Sequence, residues 1–502
     1  MGIIEKLDYL RGRPDSLGVD AVWLSPIYPS PMKDFGYDIS NYVDIDPRFG
    51  NLQIFDQLIT EMHKRGMRLI MDFVTNHTSS EHPWFIESRS SKTSPKRDWY
   101  IWGDPKADGS PPNNWISVSG GPAWTLDPAT NQYYLHNFLP EQPDLNWRNP
   151  EVVEAMKDVI KFWLARGVDG FRVDAMNHVI EDSEFRDDPE NVFYNAGTDN
   201  PYSMLKHKFS NNQPELKEVM ESLTLATEQY PDTFIVTEAY LGQEELINMY
   251  KMYPGRGHAP FNFNLIGMPW DRNAFKNFID AFDQSLGRDD VPTYVIGNHD
   301  QSRVVSRVGA EQARLLAMLL LTLRGMPFIY YGEELGLADT VLAARELQDG
   351  FVRDSGIHLS RDPERTPMQW NDSAQAGFTT GRAWLPVATT YPIQNVAKEN
   401  ADPKSMLHLY RSLISFRSSS ETLLSGTYRS IPTLSRDVFA YIRESNKERL
   451  LILLNFSDQT LIEPIIYPKS KILLSTFLDI KKAERLADSI TLRAHEGCIL
   501  RI

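Results

Sequence analysis

Apolar residues recur at helical spacing between Asn149 and Gly167, where Val152, Val153, Met156, Val159, Ile160, Trp163 and Leu164 mark one face. Asn149 is placed to cap the N-terminus, Pro150 takes the first helical position, and Gly167 follows the last turn. The pattern then changes. Gly170-Phe-Arg-Val-Asp-Ala175 reads as a short buried strand ending in a carboxylate, Asp174. A charge at that place is unusual, because a buried carboxylate is costly unless something pairs with it.

The unit of helix, glycine and strand recurs. Leu17-Gly-Val-Asp-Ala-Val-Trp-Leu-Ser-Pro26 follows one apolar-periodic helix. Arg65-Gly-Met-Arg-Leu-Ile-Met-Asp-Phe-Val74 follows another, which Asn51 is placed to cap. Such units in series predict parallel strands joined by helical crossovers. Acids at strand ends fit a (β/α) barrel, whose chemistry sits at the C-terminal face of its strands. A doubly wound open sheet with structural acids fits the local pattern equally well.

Taken in order, the pattern predicts a helix over 3–18, with Ile3, Ile4, Leu7 and Leu10 on one face, and strands at 21–24 and 69–72. From 76 to 146 the rhythm stops. That stretch is rich in Pro, Gly, Asn and Trp, and its length predicts an inserted small domain. After 174 comes a polar, acidic stretch over 181–212, then strands at 234–239, 260–265, 293–300 and 327–332, and a long excursion over 333–395. A helix near 404–418 precedes short β-rich segments such as 438–442 and 450–455, which predict a C-terminal β-sandwich. The expected division is a barrel over 1–75 and 147–418, an insert over 76–146, and a sandwich over 419–502.

Composition narrows the class. A chain of 502 residues with a formal net charge of -15 argues against nucleic acid and anionic membranes as partners. Its one cysteine, Cys498, leaves no disulfide within the chain and no cysteine-rich metal site. The start lacks the basic residues and long apolar core of a signal peptide. The longest apolar run, 315–323, is too short to span a bilayer and reads as a buried helix. The expectation is a cytoplasmic protein, with its oligomeric state left open.

Three carboxylates stand at predicted strand ends: Asp174, Glu238 and Asp300. His77, His299 and Arg172 accompany them. In a parallel barrel such side chains converge. Two carboxyls about 5–5.5 Å apart suit a retaining glycosidase, one attacking the anomeric carbon and the other giving and taking a proton. An adjacent arginine such as Arg172 would hold the attacking group's pKa down. A metal site of two histidines and three acids competes, but no H-x-H or HExxH spacing supports it. Buried structural ion pairs account for one acid better than for three in the same register.

The sequence resembles glycoside hydrolase family 13, the α-amylase family, over nearly its whole length. Four ordered blocks carry the resemblance: Asp72-Phe-Val-Thr-Asn-His77, Gly170-Phe-Arg-Val-Asp174, Thr237-Glu238 and Asn298-His-Asp300. Gln142-Pro-Asp-Leu-Asn146 and Arg365-Thr-Pro-Met-Gln-Trp370 resemble the oligo-1,6-glucosidase and α-glucosidase branch. The resemblance implies that Asp174 is the nucleophile and Glu238 the general acid/base, and that Asp300 binds sugar hydroxyls and distorts the ring. It implies that Arg172 orients the nucleophile, that His77 and His299 hydrogen-bond the same glucose, and that Tyr37 stacks beneath it. Asp34 and Arg365 would grip the terminal glucose and close the far end. Phe138, Gln142 and Arg361 match residues lining the entrance and acceptor side.

Two departures stand out. Val118 and Ser119 precede Gly120-Gly121 where relatives often carry a phenylalanine. The chain also opens on what reads as the helix after the family's calcium loop, so strand one and the calcium ligands are not expected and no metal or other cofactor is carried over. The expected fold is therefore an α/β, TIM-type barrel with seven strands, open between its second and eighth. The implied activity is an exo-acting, retaining α-glucosidase on short malto-oligosaccharides. The alternatives are a transglycosylating or isomerising relative of the sucrose or trehalose isomerase type, and a catalytically silent binding protein.

Overall fold

The computed structural model describes residues 2–197, 199–230, 232–252, 257–351, 360–467, 469–480 and 488–502. The chain divides into two compact units. The first is Met1–Asp8, Asp20–Tyr240 and Asp349–Ser360; the second is Tyr9–Val19, Leu241–Gln348 and Arg361–Ile502.

In the first unit, strands Ala21–Leu24, Arg68–Val74, Gly170–Asp174 and Phe234–Thr237 lie side by side, all parallel. The two central strands are buried along almost their whole length, as expected where helices cover both faces of a parallel sheet. The crossover helix Pro150–Ala165 forms as its sequence predicts. Asn149 accepts a hydrogen bond from the Glu151 amide, and Val152, Met156, Val159, Ile160, Trp163 and Leu164 are buried. Each such side chain contributes about 1.5–3 kcal/mol on burial, so the face rather than helix propensity holds the element. Gly167 takes φ +97 and reverses the chain into the next strand, a conformation that a Cβ opposes. At Gly170 a Cβ would lie 2.0 Å from the Phe234 carbonyl oxygen, so only glycine lets these two strands meet.

The stretch after Arg68–Val74 folds around a small antiparallel sheet of Trp102–Gly103, Gln132–Leu135 and Trp124–Asp127. Ile101, Trp115, Ala123, Trp124 and Leu135 form its core. The Arg97 guanidinium lies 3.3 Å from the centroid of the Trp102 ring, and the Lys96 ammonium lies 3.3 Å from that of Trp99. These cations cover indole faces while keeping contact with water.

The second unit contributes strands His258–Pro260, Thr293–Val295 and Met326–Phe328, the last two paired in parallel. The first shares only Pro260 with the predicted 260–265, and the other two are shorter than predicted. Asn262 accepts from the Asn264 amide and Asn298 from the Asp300 amide, and such side-chain turns end the extended backbone. The third ends at Phe328, and the chain turns at Tyr331 and Gly332, which takes φ +89. The apolar run near 315 is buried in helix Ala310–Thr322, as read. Helix Met406–Ser419 leads to an antiparallel sheet in the order Thr427–Ile431, Val438–Glu444, Arg449–Asn455, Gly497–Arg501 and Lys471–Ser475. Leu461–Pro464 and Ser489–Leu492 form a second sheet, and Ile490 and Leu492 share a core with Val438, Ala440, Leu451 and Leu453.

The first helix is also shorter than expected. It spans Gly2–Leu10, not 3–18. Gly12 takes φ 132 and Pro14 has no amide hydrogen, so the helical ladder cannot continue. No helix among the described residues is long and apolar enough to cross a membrane.

Candidate active site

Alternation along Gly170–Asp174 sends Arg172 and Asp174 to one face of the sheet. Asp72 is the register partner of Arg172 on the neighbouring strand. Glu238 follows Phe234–Thr237 and is pinned by its own amide, which donates to the Val173 carbonyl at 2.8 Å. The four side chains therefore meet at the C-terminal ends of three adjacent strands.

Arg172 is 1 % exposed. Its Nη1 donates to Asp72 Oδ1 at 2.9 Å and Oδ2 at 3.0 Å, and to Asp174 Oδ1 at 2.5 Å. Its Nη2 is ion-paired with Glu238 Oε2. Tyr37 Oη and Trp23 Nε1 both donate to Asp72 Oδ2, at 2.9 and 3.1 Å. The guanidinium lies 4.8 Å from the Trp23 ring centroid and 5.6 Å from that of Tyr37. One cation thus serves three carboxyls.

Charge balance follows from that count. Burial pushes Asp72 up to about 6, against the pull of Arg172 and the Tyr37 hydroxyl. Asp174 is raised well above the carboxylate range, first by burial. Arg172 opposes this, while the charges of Glu238 and Asp72 and a hydrogen bond with Glu238 add to it. The sequence reading expected the arginine to hold Asp174 down. It does pull that way, but desolvation and two neighbouring carboxyls outweigh it.

His77, Gln142 and Asp34 form a second buried group in the same unit. Gln142 Oε1 accepts from the Leu139 amide at 3.0 Å, which turns Nε2 toward Asp34 Oδ2 at 3.0 Å and His77 Nε2 at 2.9 Å. Gln142 is 0 % exposed and acts as a strut between those two residues. Burial drives His77 down to about 3, so it is neutral across the physiological range. Half-buried Phe138 lies 5.2 Å from His77 and 5.3 Å from His178, ring to ring.

In the second unit, Arg365 Nη2 donates to Asp300 Oδ1 at 2.7 Å and Arg361 Nη1 to the same oxygen at 3.3 Å. Arg365 Nε donates to the His299 carbonyl at 2.6 Å, and His299 Nε2 lies 3.5 Å from Asp300 Oδ2. Asp34, Tyr37, His77, Phe138, Gln142, Arg172, Asp174 and Glu238 therefore belong to the first unit, and His299, Asp300, Arg361 and Arg365 to the second. Sequence reasoning missed Asp72 and Trp23. Asp72 sits at a strand end within a block already singled out, and a buried arginine beside it calls for more than one anion. Trp23 carries no such signal. Among the described residues no group of three or more His, Cys, Asp and Glu side chains could hold a metal ion.

A parallel α/β core carrying clustered carboxyls at strand ends suits glycosidase chemistry, and comparison with known proteins agrees in class. The family model for the alpha amylase catalytic domain matches residues 1–426, and the chain belongs to this family, glycoside hydrolase family 13. Within it the chain lies in the branch of oligo-1,6-glucosidases and α-glucosidases, and it is a glycosidase acting on α-glucosidic bonds. It is 40 % identical over 483 residues to a probable alpha-glucosidase of Rhizobium meliloti, covering 91 % of this chain and 85 % of that one. An oligo-1,6-glucosidase of Heyndrickxia coagulans is 38 % identical, covering 91 % and 88 %. Among solved structures, an alpha-glucosyl transfer enzyme superposes with a TM-score of 0.91 at 36 % identity, covering 99 % of this chain and 94 % of that one. The trehalulose synthase of Pseudomonas mesoacidophila MX-45 gives 0.87 at 34 %, with the same coverage.

Proposed function

We propose that the protein is an exo-acting, retaining α-glucosidase that removes terminal glucose from short malto-oligosaccharides through a covalent glucosyl-enzyme intermediate. The observation that carries this is the single guanidinium joined to both Asp174 and Glu238. Two carboxyls held on one cation lie close to each other. That favours direct attack by one of them over base-assisted attack by water.

Asp174 is the nucleophile: the proton that burial favours on it passes to Glu238, and Arg172 Nη1 fixes its Oδ1 and leaves Oδ2 to attack the anomeric carbon. Glu238 first protonates the leaving oxygen. It then takes the proton from water, which cleaves the sugar–Asp174 ester. As positive charge develops on the sugar, Asp174 and the neighbouring buried carboxyls stabilise it. Asp300, held by Arg361 and Arg365, accepts from sugar hydroxyls. Asp34, tied through Gln142 to His77, binds the non-reducing end, and a closed end admits only a chain terminus. Tyr37 presents its ring face to the sugar, while Phe138 lines the acceptor side.

Similarity to a trehalulose synthase and to an alpha-glucosyl transfer enzyme favours a second outcome at the same centre, in which a sugar rather than water takes the glucosyl group. The test is product analysis. Maltose and sucrose are supplied separately, and the first-formed products are followed by NMR. Release of α-glucose from maltose supports the retaining hydrolase. Release of β-glucose overturns retention, and conversion of sucrose to an isomer without net glucose supports transfer.

A further inference from the structure

Ala175 directly follows Asp174 and takes φ 47 and ψ 40, in the left-handed region. A residue with a Cβ enters that region at a cost, and keeps it only where its surroundings over-determine it. Here they do. The turn brings two successive amides onto Glu238: the Ala175 N–H donates to Oε2 at 3.3 Å, and the Met176 N–H donates to the backbone carbonyl at 2.8 Å. The Glu238 amide in turn donates to the Val173 carbonyl at 2.8 Å. Ala175 is only 6 % exposed, so the turn is packed in place.

The chemistry of Glu238 depends on which of its oxygens holds the proton. Oε2 meets both Arg172 Nη2 and the Ala175 N–H. An oxygen that accepts from a guanidinium and an amide serves as the anionic end of a carboxyl group. We propose that Ala175 is a positioning residue. Its left-handed backbone aims an amide that, with Arg172, keeps Oε2 unprotonated, so that the transferable proton resides on Oε1. This rests on reading Glu238 as the acid/base. The charged groups around that carboxyl are Arg172, Asp174 and, through Arg172, Asp72.

The test exchanges the amide for an ester. Lactic acid placed at position 175 by nonsense suppression keeps the methyl group and replaces N–H by O. The full-length enzyme is assayed on maltose, whose leaving group needs a proton, and on an aryl α-glucoside with a strongly acidic leaving group, which needs none. The expected result is a fall of about tenfold or more in kcat/KM on maltose, with the aryl substrate changed by about twofold or less. For Ala175→Gly, which keeps the N–H, the ratio of the two rates should stay within about twofold of the parent ratio, whatever the absolute rates. An equal loss on both substrates, or none on either, overturns the proposal. Should the ester variant not fold, Ala175→Val serves instead, compared on two aryl α-glucosides, one with a strongly acidic and one with a weakly acidic leaving group, so that crowding by the added methyl groups weighs on both alike. A β-branched side chain opposes the left-handed turn, and a parental substrate ratio in the folded variant would also overturn it. Glu238→Gln is assayed in parallel. Undiminished maltose hydrolysis there removes the acid/base reading itself, whereas a dead Glu238→Gln beside an unaffected ester variant removes only the role of Ala175.

Discussion

Arg172 reaches across to the neighbouring strand and donates to both carboxylate oxygens of Asp72, at 2.9 and 3.0 Å. Asp72 is 1 % exposed and also accepts from Tyr37 and Trp23, so it anchors the guanidinium from behind while Asp174 and Glu238 hold it in front. Asp72→Asn removes one charge of a buried pair. Breaking such a pair costs about 3–5 kcal/mol, so the melting temperature should fall by several degrees. A guanidinium shifted by about 1 Å should lower kcat by roughly 10²-fold. Differential scanning calorimetry and maltose turnover check both, and parental values in both would show that Asp72 is not the anchor.

Asp174→Asn should abolish turnover with the fold intact, because an amide cannot form the glycosyl ester. Glu238→Gln should spare the first step for substrates with very good leaving groups and lose about 10²–10⁴-fold on maltose. Circular dichroism confirms folding, and a pre-steady-state burst on an aryl α-glucoside reports the intermediate. Parental maltose hydrolysis by Asp174→Asn would remove the nucleophile assignment.

Alanine at 175 puts a single side-chain carbon beside the proposed nucleophile, two fewer than a valine would. Maltose should therefore be preferred to isomaltose, with modest discrimination, since one or two methyl groups are worth about 1–3 kcal/mol. Measured kcat/KM on the two disaccharides decides, and a higher value on isomaltose would reverse the reading.

Glu333 is 2 % exposed and neither carboxyl oxygen has a hydrogen-bond partner. Burial pushes it up to about 8, against the pull of the Arg307 and Arg303 charges. A carboxyl raised on folding contributes stability that is full below its unfolded pKa near 4.5 and is lost as pH rises through about 8. His77, His82 and His178, pushed down to about 3 by burial, act in the opposite sense. Their stability is full above about 6.5 and is lost as pH falls. Between pH 6.5 and 8.5 the histidine contribution is constant, so the melting temperature should decline with pH. Glu333→Gln should flatten that decline by about 1–2 kcal/mol. Thermal melts of both proteins across the window check this, and parallel curves would show that Glu333 does not titrate there.

The central helix and strand were legible because their signals are local. Apolar spacing, an asparagine cap and a terminal glycine all act within a few residues of Pro150–Ala165. Strand ends were over-extended where Asn262 and Asn298 bend the backbone, since a run of apolar letters does not reveal a side chain that hydrogen-bonds two residues on. Asp174, Glu238 and Arg172 stood out as charges in apolar strands. Asp72 did so equally, yet its partner lies 100 positions away and only sheet register brings them together. Gln142 read as a wall residue, but the Leu139 amide turns it inward. Trp23 and the left-handed turn at Ala175 left no mark in the sequence, because both depend on where the chain passes rather than on its composition.

Sharing Arg172 among Asp72, Asp174 and Glu238 also limits how such a centre can diverge. None of the three acids can be moved or neutralised without changing what the other two experience, so the cluster varies as a whole or not at all. New specificities must then arise elsewhere, in the segments that choose what approaches it. Hydrolysis of an oligosaccharide, transfer to a second sugar and rearrangement of sucrose can all start from one unaltered set of charges, and descendants of such a protein would differ mainly in what they let in.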